Sequence, residues 1–289
     1  MPVRFGYNPQ TAANNTFQKE GFEEKAQENA LREFTTYASL LKANKVEVVI
    51  AEDTEVPYTP DSIFPNNWFS THEDGTLVLY PMFAVNRRNE RKSEFLESIR
   101  RNFEVKRLID LTWWESENQF LEGTGSMIFD RENKIAYAGR SPRTCEPVIA
   151  DFCKQMGYTA VIFDAYDQNG ALIYHTNVMM SVGTKFAVIC LSAITDEQQR
   201  QVVVESLERT GKKVIDISFE QMNNYAGNML ELKTSDGKPI LVMSSTARKS
   251  LTPEQAKELS SYYKLLSPGL EYIENNGGGS ARCMLAEIY

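Results

Sequence analysis

The chain has 289 residues, 42% of them hydrophobic and 24% charged, which suits an ordinary water-soluble globular fold with one or two domains. A net charge of −8 and a pI near 5.1 argue against a nucleic-acid partner, because neutralising phosphates requires clustered Lys and Arg, and the most basic stretch, RKSEFLESIRR, itself carries two glutamates. The opening MPVRFGYNPQ lacks an apolar core of signal-peptide length and no 18-residue apolar run occurs, so a cytoplasmic protein without membrane contact is expected.

In chain order, Phe22, Ala26, Ala30, Phe34, Tyr37, Leu40 and Leu41 recur at helical spacing and predict a helix from about Phe22 to Lys42. VEVVIAE then reads as a buried strand. SIFPNNWFST and TLVLYP read as strands, a charged helix follows from about Asn89 to Asn102, and VKRLID is the next strand. The same order of two strands, a helix and a strand returns three times. SMIFD, KIAYAG, a helix from about Arg143 to Met156 and TAVIFDA form the second unit. NVMMSVG, KFAVICLS, a helix from about Asp196 to Arg209 and KKVIDIS form the third. NMLELKT, PILVMSS, a helix from about Thr252 to Tyr263 and LEYIE form the fourth. Units starting near Ile63, Ser126, Asn177 and Asn228 mark an internal repeat.

The C-terminal RCMLAEIY and the N-terminal RFGYN, first helix and VEVVIAE complete a fifth unit, so pairing of the two ends closes a ring of ββαβ units. The competing reading is two α/β domains split near Asp164. No Pro/Gly/Ser-rich linker divides the chain, which favours one domain over residues 1–289.

In such a ring the starts of the first strands converge. That brings together Phe64-Pro65-Asn66-Asn67, Glu122, His175-Thr176-Asn177, Asn228 and Cys283. Cys283 follows three glycines, which let backbone turn sharply and approach a ligand, and a thiol with a histidine is the minimum set for nucleophilic catalysis. The four cysteines show no CxxC spacing and there are two histidines, so free thiols, no metal and no cofactor are expected.

On these residues the chain resembles the guanidine-modifying (arginine deiminase/amidinotransferase) superfamily, whose fold is a five-bladed α/β propeller, the pentein. The resemblance spans nearly the whole chain. The terminal glycine run and cysteine match Gly277 to Cys283, here GGG-x-x-x-C, H-x-D/N matches His175 to Asn177, and E-G-x-G/D matches Glu122 to Gly125. F-x-x-D matches Phe64 to Asn67, and S-x-R-T matches Ser141 to Thr144. The resemblance implies Cys283 as nucleophile, His175 as general acid/base, Glu122 as an acidic contact to the substrate, and Arg143 with Arg87 as contacts to a substrate α-carboxylate. The expected partner is a small amino-acid substrate, and a homo-oligomer is compatible with the sequence.

Two departures from the family pattern carry the substrate reading. Asn67 and Asn177 stand where aspartates are usual, and each change removes negative charge from the substrate cradle. A desolvated guanidinium needs counter-charge, whereas a neutral ureido group offers a carbonyl acceptor that an amide can serve. The expectation is therefore hydrolysis of citrulline to ornithine, carbon dioxide and ammonia through a covalent Cys283 adduct, as in amidinotransferase-like citrulline-using hydrolases. The alternatives are an arginine or methylarginine hydrolase, an amidinotransferase, or an inert pentein binding protein like the ribosome-binding factor of that fold.

Overall fold

The computed structural model describes residues 5–19 and 25–289 and has a mixed α/β architecture. Its strands fall into four separate three-stranded sheets in sequence order, β1-β2-β3, β4-β5-β6, β7-β8-β9 and β10-β11-β12. The first comprises Phe69–Thr71, Thr76–Leu79 and Arg107–Asp110, and the second Ile128–Asp130, Ile135–Gly139 and Thr159–Phe163. The third comprises Met180–Val182, Phe186–Ile189 and Lys213–Asp216, and the fourth Leu230–Lys233, Pro239–Val242 and Lys264–Leu266. In each sheet the first two strands pair as an antiparallel hairpin. The third strand joins in parallel after a helix. A parallel partner needs such a crossover, and the repeated order in the sequence is its trace.

The crossover helices are Ser93–Asn102, Glu146–Met156, Glu197–Arg209 and Pro253–Tyr262. Their signals are local. Asp196 and Thr252 cap N-termini by accepting from the Gln199 and Gln255 amides, and Gly157, at φ 70°, ends the second helix in a conformation that other residues adopt at a cost. In that helix Val148, Ile149, Phe152, Cys153 and Met156 are buried along one face, and they join Val78, Tyr80, Ala136, Ala138 and Tyr158 in a core shared between the first two sheets. Each fully buried side chain of this size contributes roughly 1.5–3 kcal/mol.

Four units match the repeat read from the sequence, and the fifth differs. Residues 46–52 and 284–289, expected to pair as strands, form no strand. Side chains take the hydrogen bonds of the C-terminal backbone instead: Thr71 Oγ1 donates to Glu287 O at 2.8 Å and accepts from Tyr289 N at 3.2 Å. Glu287 also pairs with Arg131 at 3.2 Å, which fixes this segment against the first sheet rather than beside residues 46–52. Val46 and Val48 are only half-buried against the neighbouring core. Among the described residues there are thus four three-stranded sheets, and the fifth unit contributes no strand.

Three further boundaries shift. The first helix runs Ala26–Ala43; Phe22, its expected start, lies outside the described residues. Phe64 to Asn67 do not extend the first strand, because Pro65 opens a 3₁₀ turn over Pro65–Asn67. LEYIE is helical, within Glu271–Gly277, since Lys264–Leu266 already supplies the parallel strand directly after its crossover helix. Glu33 accepts from Tyr272 N and Ile273 N, both at 3.0 Å, and so satisfies amides that a helix start leaves without partners.

Candidate active site

Every unit places a tight turn immediately before its first strand, and the turns touch one another in sequence. Thr124 Oγ1 donates to Asn66 O at 3.3 Å, Thr176 Oγ1 to Ser126 O at 2.6 Å, and Asn228 Nδ2 to Asn177 O at 3.1 Å. Asn228 Oδ1 then accepts from Arg282 N at 3.0 Å, which links the fourth turn to the one bearing the nucleophile. The circuit closes at the glycine run. A Cβ on Gly279 would lie 2.7 Å from the Phe64 ring and one on Gly277 would lie 2.8 Å from it, so only glycine allows this backbone to rest on Phe64. Residues scattered over the sequence thereby meet at one place.

Cys283 is 8% exposed, and its sulfur receives two amide contacts: Asn177 Nδ2 at 3.3 Å and Asn228 Nδ2 at 3.2 Å. His175 Nε2 lies 2.7 Å from Glu122 Oε2. That contact assigns the ring proton to Nε2 and leaves Nδ1 as the free lone pair of the neutral ring. Burial lowers the His175 pKa to about 4, even though Glu122 pulls it upward. Glu122 is itself held far below the usual carboxylate range: burial opposes its charge, but Arg143 and His175 outweigh that cost. Its second oxygen accepts from Phe83 N at 3.0 Å.

Asn67 is 3% exposed and its two amide atoms have different surroundings. Oδ1 accepts from Arg87 Nη1 at 2.7 Å, whereas Nδ2 has no partner. The free NH₂ lies beside the His175 imidazole: a Cβ on Gly125 would stand 2.4 Å from Asn67 Nδ2 and 3.0 Å from His175 Nδ1 and Cε1. Glycine at 125 is what lets the amide and the ring share that space. Both side-chain amide atoms of Asn66, Asn177 Oδ1 and Asp61 Oδ1 are also buried without protein partners. Unpaired buried polar atoms are costly in a folded chain, and their concentration here marks a place built for a polar ligand.

The two arginines expected to hold a carboxylate are deeply buried. Arg143, 1% exposed, donates from Nε to Asn14 Oδ1 at 2.8 Å and from Nη2 to Thr11 O at 2.7 Å, stands 3.4 Å from Glu122, and lies over the Tyr174 and Phe83 rings at 5.0 and 5.9 Å. Arg87 forks onto Glu90, Nε to Oε1 at 2.8 Å and Nη2 to Oε2 at 3.0 Å, and donates to Phe64 O at 3.1 Å. Burial pushes Glu90 up to about 7 against the pull of Arg87. Asp61, Glu90 and Asn14 belong to this neighbourhood although no motif in the sequence points to them. Only the position of Glu90, three residues after Arg87 on a helical turn, hints at a pair.

A separate cavity of about 1650 Å³ is lined by Val48, Ile50, Phe129, Leu285 and Tyr289 and by none of Cys283, His175 or Glu122. Among the described residues no group of three or more His, Cys, Asp and Glu is placed to hold a metal ion, and no helix is long and apolar enough to cross a membrane.

A buried thiol and a carboxylate-paired imidazole, carried on the turns that open repeated ββαβ units, place the chain in the pentein guanidine-modifying superfamily. More narrowly, the chain belongs to the N,N-dimethylarginine dimethylhydrolase family in its eukaryotic form, whose family model matches residues 1–289. That family is described as one of hydrolases acting on dimethylarginine. The fold is also that of ArgZ, an arginine dihydrolase from the ornithine-ammonia cycle in cyanobacteria: TM-score 0.76 at 16% identity, covering all of this chain and 40% of that one. The isolated N-terminal domain of ArgZ, bound to substrate, gives TM-score 0.75 at 17% identity over 98% of this chain and 94% of the domain. A dimethylarginine dimethylaminohydrolase adduct with S-methyl-L-thiocitrulline gives TM-score 0.64 at 15% identity, covering 89% of this chain and 87% of that one. The chain therefore spans less than half of full-length ArgZ. No curated protein sequence matches it.

Proposed function

We propose that this hydrolase cleaves the ureido group of citrulline, giving ornithine, carbon dioxide and ammonia through a covalent Cys283 adduct. The observation that carries the reading is the Asn67 amide. With Oδ1 held by Arg87, the group turned toward His175 is a donor. A donor matches the ureido oxygen, whereas a guanidinium carries donors only and meets an N–H facing its own N–H. The carboxylate of Glu122 already faces Arg143 and His175, and Glu90 is matched by Arg87, so of the carboxylates in this neighbourhood Asp61, with its unpartnered Oδ1, is the one left to receive a buried cation.

The chemistry follows from the same atoms. The Cys283 thiol gives its proton to His175 Nδ1 as its sulfur attacks the ureido carbon. The carbon–Nδ bond breaks, His175 returns the proton to the departing nitrogen, and ornithine leaves an S-carbamoyl enzyme. His175, neutral again, takes a proton from water as it adds to the carbamoyl carbon, and the carbon–sulfur bond breaks. The carbamate released decays to carbon dioxide and ammonia. Glu122 stabilises the transient imidazolium, and Asn177 and Asn228 stabilise the sulfur as anion and leaving group. Arg143, with its aromatic neighbours Tyr174 and Phe83, is the candidate anchor for the substrate carboxylate, reached by exchanging Asn14 or Thr11 for the ligand.

A second reading, guanidine hydrolysis of arginine or a methylated arginine, is favoured by the family match and by neighbours named for arginine chemistry. Side-by-side kinetics with citrulline, arginine and dimethylarginine decide between them. Ornithine released from citrulline with the highest kcat/KM supports the first reading. Efficient conversion of arginine or dimethylarginine to citrulline, with citrulline left intact, would overturn it.

A further inference from the structure

We propose that Glu90 is a positioning residue for substrate selection: it holds Arg87, and Arg87 in turn holds the Asn67 amide with its NH₂ facing the reacting group. The inference rests on the substrate reading above and adds a residue that never touches substrate. Glu90 is 1% exposed, and its carboxylate is engaged by one edge of the Arg87 guanidinium, Nε at 2.8 Å and Nη2 at 3.0 Å. A planar fork of this kind fixes orientation as well as distance. The fork aims Arg87 Nη1 at Asn67 Oδ1, 2.7 Å away, and Nη2, besides its contact with Glu90, also reaches Phe64 O at 3.1 Å. Arg87 is therefore closed upon the protein, and what it sets is which end of an amide faces the ligand.

An amide is symmetric enough to turn over, and turned over it would present an acceptor. Such an Asn67 would suit a guanidinium. The clamp is specific because a competing partner stands next to it: Asp61 Oδ2 is 3.9 Å from Arg87 Nε, and Asp61 Oδ1 has no hydrogen-bond partner. Asn8 Nδ2 and Thr11 Oγ1 hold Oδ2 at 2.7 Å each, so Asp61 is fixed and ready to receive the guanidinium. Without the Glu90 carboxylate, Arg87 swings to Asp61 and releases Asn67.

The experiment is a double-mutant cycle on selectivity. The ratio of kcat/KM for citrulline to that for arginine is measured in the wild type, Glu90→Gln, Asn67→Ala and the double variant. Glu90→Gln is expected to lower the ratio about 10-fold, the worth of one hydrogen bond to the reacting group, and to have no further effect once Asn67 is alanine. Arg87→Lys, which keeps the charge without the fork, should reproduce the Glu90→Gln ratio and guards against a fold defect in any one variant. Independent, additive effects of Glu90 and Asn67 would overturn the clamp. A crystal structure of Glu90→Gln tests it without turnover: Arg87 moved to Asp61 supports the proposal, and Arg87 still on Asn67 refutes it. The wild-type ratio alone judges the substrate reading, so the two failures are told apart.

Discussion

Asn67→Asp is the most direct test of how the site chooses between a neutral and a cationic group. In the wild type, Asn67 Oδ1 lies 2.7 Å from Arg87 Nη1 and Nδ2 faces the space beside His175. Aspartate keeps the first contact and turns the second atom into an anionic acceptor. A charge about 4 Å from a guanidinium is worth roughly 4 kcal/mol at an effective dielectric of about 20. The cost of desolvating the new carboxylate offsets about half of that. Loss of the donor to a ureido oxygen removes about 1 kcal/mol more from the citrulline side. The expected swing is therefore about 3 kcal/mol, or roughly 10²-fold in relative kcat/KM toward arginine. Competing the two substrates at equal concentration and quantifying ornithine and citrulline by chromatography reads the ratio directly. Because Arg87 gains a carboxylate partner, the melting temperature should not fall. A ratio within about threefold of wild type in a folded Asn67→Asp protein would show that this amide does not set the substrate's charge.

Alkylation at pH 7 should label Cys283 ahead of Cys153 and Cys190, since burial pushes both of those thiols up to about 11; equal labelling in peptide mass spectra would contradict Cys283 as nucleophile. Asn228→Ala removes the 3.2 Å donor to the sulfur and the partner of Arg282 N, and should slow both alkylation and turnover about 10-fold; unchanged rates would assign Asn228 to scaffolding alone. His175 and His72 are buried with pKa values lowered to about 4 and about 3, so the unfolded chain binds more protons than the folded one below about pH 6.5. The histidines' contribution is thus complete above about 6.5 and falls as the pH drops toward 4, by up to about 3 kcal/mol each, while Glu90, raised to about 7, titrates the opposite way and offsets about one histidine's share. A melting temperature constant between pH 7 and 4 would contradict the neutral burial of both rings. Phe152→Ala, in the core between the first two sheets, should cost about 3–5 kcal/mol in denaturant unfolding, and a loss under 1 kcal/mol would mean that this core is not close-packed.

The sequence alone was enough for the repeat, because its signals are local: hairpin turns, capped amphipathic helices and short apolar strands recur in one order, and four units fold accordingly. It was also enough to single out Cys283, His175 and Glu122 as candidates, since a motif carries residue type and order together, and the turns that bear them lie in one linked series. What local pattern could not decide was pairing across the chain. VEVVIAE has the composition of a strand, yet a strand exists only where another edge offers hydrogen bonds, and the tail that might have offered one is held by Thr71 and Arg131. LEYIE likewise turns helical because Glu33, some 240 residues earlier, receives its first amides. The same holds for orientation within the site. Sequence shows that residue 67 is an asparagine; only the fold, by setting Arg87 between Glu90 and its Oδ1, decides which half of that amide faces the reacting carbon.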